Sequence, residues 1–193
     1  MRLFVAIDVG PTIASAAAML VERLKTRAAK LSPRAKITWI PADRMHLTVR
    51  FIGHVDEPQY QAIASALQPA VTMHPFDLRI RGTGAFPRSG PPRAIWCGIS
   101  DGLEQVEDVE REITERLKGV DVPPDDRKYS PHLTLARIRE AHGLRASALL
   151  DSTRDIELGA TRVEAITLFE SRLSPKGPTY ISLQETRLRP APR

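Results

Sequence analysis

Apolar positions along the chain switch between two periods, and each switch marks an element. Leu3-Phe4-Val5-Ala6-Ile7 is an unbroken apolar run closed by Asp8, which predicts a buried strand. After Pro11, a favourable first helical residue, Ile13, Ala17, Leu20, Leu24, Ala28 and Leu31 recur at threes and fours. They predict an amphipathic helix that Pro33 ends. Two short strands follow, Lys36 to Ile40 and Met45 to Ile52. In the second, alternation places His46, Thr48 and Arg50 on one face and Leu47, Val49 and Phe51 on the other, and Gly53 closes it. Tyr60, Ile63, Ala64, Leu67 and Val71 predict a second helix. Phe76 to Phe86 then alternates as a strand, with Leu78 and Ile80 inward and Arg79 and Arg81 outward.

A Pro/Gly loop from Pro87 to Pro92, with Arg88 and Arg93 on its rim, leads to a strand from Ala94 to Ile99, and the order then repeats. Leu103, Val106, Val109, Ile113 and Leu117 form one helical stripe, and Pro123-Pro124 marks a loop. Pro131 to Ile138 reads as a strand with His132 and Thr134 on one face. A short helix at Leu144 to Leu150, strand material from Ile156 to Leu168, a loop from Ser174 to Pro178 and a last strand from Tyr180 to Leu188 complete the chain. Strand, helix, His-bearing strand, helix and hairpin thus occur twice, the mark of an internal duplication. The expected fold is α+β, with two similar antiparallel sheets facing one another across a central cleft and helices on the outside. Residues 1–189 are expected to form a single domain of two pseudo-symmetric lobes, and 190–193 a frayed tail.

Composition supports this picture and narrows it. Of 193 residues, 42% are hydrophobic and 26% charged, which fits a globular protein and excludes disordered and fibrous classes. No apolar stretch approaches the roughly 20 residues of a membrane span, and the N-terminal run reads as a strand rather than a signal sequence. Cys97 has no partner for an internal disulfide and lies in the apolar run Ala94 to Ile99. A buried thiol, a reducing compartment and a cytoplasmic location are expected. Lysine and arginine total 28 against 23 acidic residues, a formal +5, and 22 of the 28 are arginine. That suits a polyanionic partner, but genome base composition explains the count equally well, so only the placement of particular arginines carries argument.

The most informative residues are two nearly identical tetrapeptides, His46-Leu47-Thr48-Val49 and His132-Leu133-Thr134-Leu135. On a strand, His and Thr two apart share a face, while the aliphatic residues anchor the other face in the core. In a chain with five histidines a single His-x-Thr arises by chance about one time in three. Two copies, both His-Leu-Thr-aliphatic and at matching places in a duplicated order, form a much stronger signal. Paired imidazoles suit a reaction that needs a general base and a general acid together. The two hydroxyls can donate to the non-bridging oxygens of a phosphate held between them. The chemistry so described is in-line phosphodiester cleavage without metal or other cofactor. A zinc site competes with this reading, but no His-x-His, Cys pair or suitably spaced carboxylate stands beside either motif.

Several stretches carry a family resemblance: Arg2 to Asp8, Met45-His46-Leu47-Thr48-Val49-Arg50-Phe51-Ile52-Gly53, Gly84-Ala85-Phe86-Pro87-Arg88, Pro131-His132-Leu133-Thr134-Leu135-Ala136-Arg137, and Leu168 to Pro175. Together they resemble the 2H phosphoesterase superfamily and, within it, the RNA 2′,3′-cyclic phosphodiesterases, long called 2′-5′ RNA ligases. The resemblance implies that His46 is the proton donor to the leaving 3′ oxygen and His132 the base that takes a proton from water. It further implies that Thr48 and Thr134 bind phosphate, that Arg137 contacts phosphate or ligand, and that the product keeps a 2′-phosphate. Arg137 lies an odd five positions after His132, so it faces away from that imidazole unless the strand bulges or ends.

The implied partner is RNA ending in a 2′,3′-cyclic phosphate, tRNA fragments included, or a cyclic nucleotide, acted on by a monomer with no membrane contact. Alternatives are reversible 2′-5′ RNA joining, cleavage of 2′-5′ oligonucleotides or another cyclic nucleotide phosphate, and an RNA-end-binding protein without turnover. His54, His74 and His142 are expected at the surface. Trp39, Trp96 and Tyr180 are expected in the core rather than as base-stacking platforms. The loops at Pro87 to Arg93 and Ser174 to Pro178 read either as ordinary turns or as a basic rim guiding RNA.

Overall fold

A computed structural model describes residues 1–123, 128–175 and 177–190. Along the chain lie β1 (Arg2–Ile7), α1 (Gly10–Leu31), β2 (Lys36–Trp39), a 3-10 turn (Ala42–Arg44), β3 (Leu47–His54), α2 (Glu57–Leu67), β4 (Phe76–Phe86) and β5 (Ala94–Asp101). There follow α3 (Leu103–Lys118), β6 (Leu133–Glu140), α4 (Ala146–Leu150), a second 3-10 turn (Asp151–Thr153), β7 (Glu157–Val163), β8 (Ala165–Ser174) and β9 (Gly177–Arg187). The periodicity located these elements, but the stretch from Ile156 is divided between β7 and β8, β8 runs on past Leu168 to Ser174, and β9 opens at Gly177 inside the expected Ser174 to Pro178 loop. Pro124, Lys176 and the tail beyond Pro190 lie outside the described residues.

The helical stripes bury as their spacing requires, except at their ends. In α1, Ile13, Ala17, Leu20, Val21, Leu24 and Ala28 are buried, whereas Leu31, in the last turn, is half exposed. In α3, Val106, Val109, Ile113 and Leu117 are buried, while Leu103, the first helical residue, stands clear of the sheet it would cover. Val71 does not belong to α2. It lies beyond the helix end, buried, in a parallel bridge to Leu188.

The strands form one sheet in the order β7-β4-β5-β6-β3-β1-β8-β9, with β2 also paired to β6. All of these strand pairs are antiparallel. Within it are two halves, β2 with β4 to β7, and β1 with β3, β8 and β9. They share a ladder at a single residue pair, Leu47 opposite Leu133, both fully buried. The two expected sheets are therefore continuous through one rung. Helices cross between halves: α1 leaves β1 and packs on β7 and α4, while α3 leaves β5 and packs on β3 and α2. The start of α1 is close-fitted to its new neighbour. Gly10 has φ +73°, and a Cβ there would lie 3.1 Å from Thr161 Oγ1. Each half thus supplies the helix that seals the other, and the buried apolar residues of both form one cluster.

Truncation of the shared rung should therefore weaken the whole molecule. Leu47→Ala is expected to cost about 2–5 kcal/mol, measured as a lower urea midpoint within a single cooperative transition. Two separated transitions would show that the halves fold independently.

Candidate active site

Both motif strands carry an irregularity immediately after the threonine, and it decides what faces the cleft. In the β1–β3 ladder Ala6 faces Thr48 and Val5 faces Arg50, so Val49 is an extra residue. In the β5–β6 ladder Trp96 faces Thr134 and Ile95 faces Ala136, so Leu135 is extra. A bulge of this kind re-aims every side chain after it. The two strands accordingly share one burial order: buried leucine, half-exposed threonine, two buried residues, then an exposed one.

This corrects the expected alternation in β3. Arg50 leaves the histidine face and is only 5% exposed, while Phe51, expected in the core, is 43% exposed. The same irregularity in β6 turns Arg137 onto the motif face, which is the condition its odd spacing set. Arg137, Thr134, His132, Thr48 and Phe51 line a common cavity of about 560 Å³. Phe51 and Arg137 occupy equivalent places in the two halves, an aromatic ring in one and a cation in the other, and both line this cavity.

The Leu47–Leu133 rung organises the four motif side chains. Those two leucines point into the core, so residues on either side of each point the opposite way. Continuing the antiparallel register sets Thr48 beside His132 and His46 beside Thr134. Each imidazole is then fixed by the same local bond. His46 Nδ1 donates to the Arg44 carbonyl at 2.9 Å, and His132 Nδ1 donates to the Ser130 carbonyl at 2.7 Å. A carbonyl only accepts, so Nδ1 carries the hydrogen in both rings and the neutral form presents a bare Nε2.

Aromatic side chains hold the rings in place. Phe4 lies 4.8 Å from the His46 ring and Tyr180 meets it edge-on at 5.0 Å. Phe86 meets His132 edge-on at 5.1 Å, with Trp96 behind it at 6.3 Å. Trp96 needs Gly84 beneath it, because a Cβ at that position would stand 2.3 Å from the indole. Trp96 and Tyr180, expected in the core, are in fact half-buried walls of the site, and Trp39 is half-buried against the core. His54, His74 and His142 are exposed, as expected. Cys97 is fully buried, and burial pushes its thiol up to about 12.

Burial holds both imidazoles below the usual histidine value. In each the carbonyl bond to Nδ1 opposes the shift, and the Arg137 cation adds to it. Only His46 also feels a carboxylate, that of Asp8, which favours its charged form and lines the same cavity of about 380 Å³. Two further residues were not legible as site components. Tyr129 donates its hydroxyl to the Thr48 carbonyl at 2.8 Å, and burial drives its pKa upward. Arg50 donates from Nη2 to the Pro123 carbonyl at 2.6 Å, while its buried Nε has no hydrogen-bond partner. Both tie the segment preceding His132 to β3. Among the described residues, no three His, Cys, Asp or Glu side chains converge as metal ligands.

Two His-x-Thr strands joined at one rung, with both imidazoles presenting Nε2, define a 2H phosphoesterase. The chain belongs to the 2′-5′ RNA ligase superfamily, whose family model matches residues 11–175. A protein from Aeropyrum pernix named RNA 2′,3′-cyclic phosphodiesterase is 36% identical over 75% of this chain and 82% of its own length. Another of that name, from Methanocaldococcus jannaschii, is 29% identical over 96% of this chain and 99% of its own. Among solved structures, a Thermus thermophilus protein is 31% identical, with a TM-score of 0.67 over 98% of this chain and 99% of that one. Escherichia coli LigT complexed with 3′-AMP shares the fold at 22% identity, with a TM-score of 0.73 and 97% of each chain covered.

Removal of the cation should release both imidazoles. Arg137→Ala is expected to raise the pKa of His46 and of His132 in an NMR titration, since the positive charge that disfavours protonation is gone. A shift confined to one ring would place Arg137 beside that ring alone.

Proposed function

We propose that the protein hydrolyses RNA 2′,3′-cyclic phosphate ends to 2′-phosphomonoesters, with His132 as base and His46 as acid. The observation that carries this reading is the matched pair of imidazoles, each with Nδ1 tied to the carbonyl two residues back, on two strands that the Leu47–Leu133 rung joins; His132, Thr48 and Thr134 line one cavity and His46 lines another. The relatives named RNA 2′,3′-cyclic phosphodiesterase support the substrate.

In the proposed step His132 Nε2 takes a proton from water as its oxygen attacks phosphorus. The P–O3′ bond opposite breaks, and His46 Nε2 delivers its proton to the departing O3′. Thr48, Thr134 and Arg137 meet the charge that builds on the non-bridging oxygens. Burial and Arg137 hold both imidazoles below the ordinary value, and the two rings differ in that only His46 has the Asp8 carboxylate opposing part of that shift. No step requires a metal.

Either His46→Ala or His132→Ala should lower kcat by about 10²–10⁴-fold on an oligoribonucleotide with a 2′,3′-cyclic phosphate end, and chelators should leave native turnover unchanged. The product should be a 2′-phosphate. Activity above a few per cent in both variants, or a 3′-phosphate product, would overturn the assignment. The profile of kcat/KM reports the free enzyme and should be bell-shaped. Because both imidazoles are held low, its centre should fall on the acid side of pH 6.5, the ordinary histidine value.

A further inference from the structure

The two long helices that seal the sheet carry opposite charge. In α1, Arg23, Lys25, Arg27 and Lys30 stand against one carboxylate, Glu22, whereas α3 holds six carboxylates and three cations. A bias in base composition would load both helices alike, so the contrast belongs to the places they occupy. α3 packs on β3 and α2, and α1 packs on β7 and α4. Where α1 meets α4, a cavity of about 370 Å³ is lined by Arg23, Arg27 and Lys30 from the helix and by Ser152 and Thr153 from the 3-10 turn after α4.

Spacings of four and three set these three cations on one stripe of α1. Arg27 serves the fold, donating to the Ala148 carbonyl and the Ser152 hydroxyl and so tying α1 to α4. Arg23 and Lys30, one turn to either side, are exposed and in no ion pair among the described residues. Glu22 is engaged by Lys25, and Asp151 by Arg154. No aromatic ring is among the described residues that line the cavity. Bases therefore find no stacking surface there. The face offers cations and hydroxyls, which suit the phosphates and 2′-hydroxyls of paired RNA.

The course of α1 relates this stripe to the reaction. Gly10, Pro11 and Ala14 at its start line the cavity that also holds His46. At about 1.5 Å per residue, Arg23 and Lys30 lie roughly 20 to 30 Å further along the helix. The ribose that carries the leaving O3′ lies towards His46, and the rest of the RNA continues from that ribose. A mononucleotide ends far short of Arg23, whereas about six to nine stacked pairs, at roughly 3.4 Å each, span the distance. We propose that this stripe of α1 is a second binding site, which grips the phosphate backbone of a base-paired stem while the cyclic-phosphate end of the same RNA lies between the histidines. The site rests on the proposed reaction with His46 on the leaving-group side. It makes structured RNA, rather than a cyclic mononucleotide, the substrate class.

The test uses the whole protein and three substrates that carry a 2′,3′-cyclic phosphate: an RNA whose 3′ end follows directly on a hairpin stem, an unpaired strand of the same length, and a cyclic mononucleotide. Arg23→Ala combined with Lys30→Ala leaves Arg27 and its bonds to α4 in place. The double variant should lower kcat/KM on the hairpin about tenfold, through KM, and flatten its salt dependence by about two contacts. Hydrolysis of the unpaired strand and of the mononucleotide should stay within about twofold of native. Arg111→Ala combined with Lys118→Ala removes the same charge from α3 and should leave the hairpin rate within about twofold. The stem site is overturned if native protein hydrolyses the mononucleotide but not the hairpin, or if the α1 variant leaves the hairpin rate and its salt dependence unchanged. It is equally overturned if the unpaired strand or the mononucleotide is slowed as much as the hairpin, or if the α3 variant slows the hairpin as much as the α1 variant does. Failure of native protein to hydrolyse any of the three would instead overturn the proposed function.

Discussion

Leu47 and Leu133 form the one rung at which the two halves share a ladder, and the site depends on it. Each leucine is buried, so each forces its flanking histidine and threonine to the opposite face. Because the strands run antiparallel, the histidine of one motif is set beside the threonine of the other. A wider join would have carried the sheet across as a flat wall. Beyond that single rung β3 and β6 share no further ladder pair among the described residues, and Thr48, His132, Thr134 and Arg137 line a cavity there.

Opposing influences hold the imidazoles in a usable state. Burial among Phe4, Tyr180, Phe86 and Trp96 lowers their basicity, and the carbonyl bond to each Nδ1 restores part of it. That bond also decides the tautomer, so the nitrogen facing the cleft is the same in both rings. Arg137 acts on both, which makes it a shared electrostatic element rather than the property of one lobe.

The duplication is faithful in the backbone and broken in the side chains. Both motif strands bulge after the threonine, and both histidines bond to a carbonyl two residues back. Yet Phe51 stands where its counterpart is Arg137, and only His46 has a carboxylate near it. Two equal lobes would present two equal imidazoles. These substitutions give the two rings different surroundings.

Period and punctuation were enough to locate the strands and helices, because burial of one face is a local demand that each segment meets by its own spacing. The two His-Leu-Thr motifs were legible for the same reason, since strand alternation alone puts His and Thr together. Arg50, Phe51 and Arg137 lie beyond the point where that reasoning holds. A bulge depends on how a neighbouring strand pairs, and nothing local in Val49 or Leu135 announces an extra residue. Tyr129, Trp96 and Tyr180 reach the site from distant segments, so their roles follow only from packing. What the sequence determined by itself was the chemistry available, two imidazoles and two hydroxyls on rigid strands. The tertiary structure alone decided that they meet at one rung, because only the pairing of β3 with β6 brings residues more than eighty positions apart onto one face.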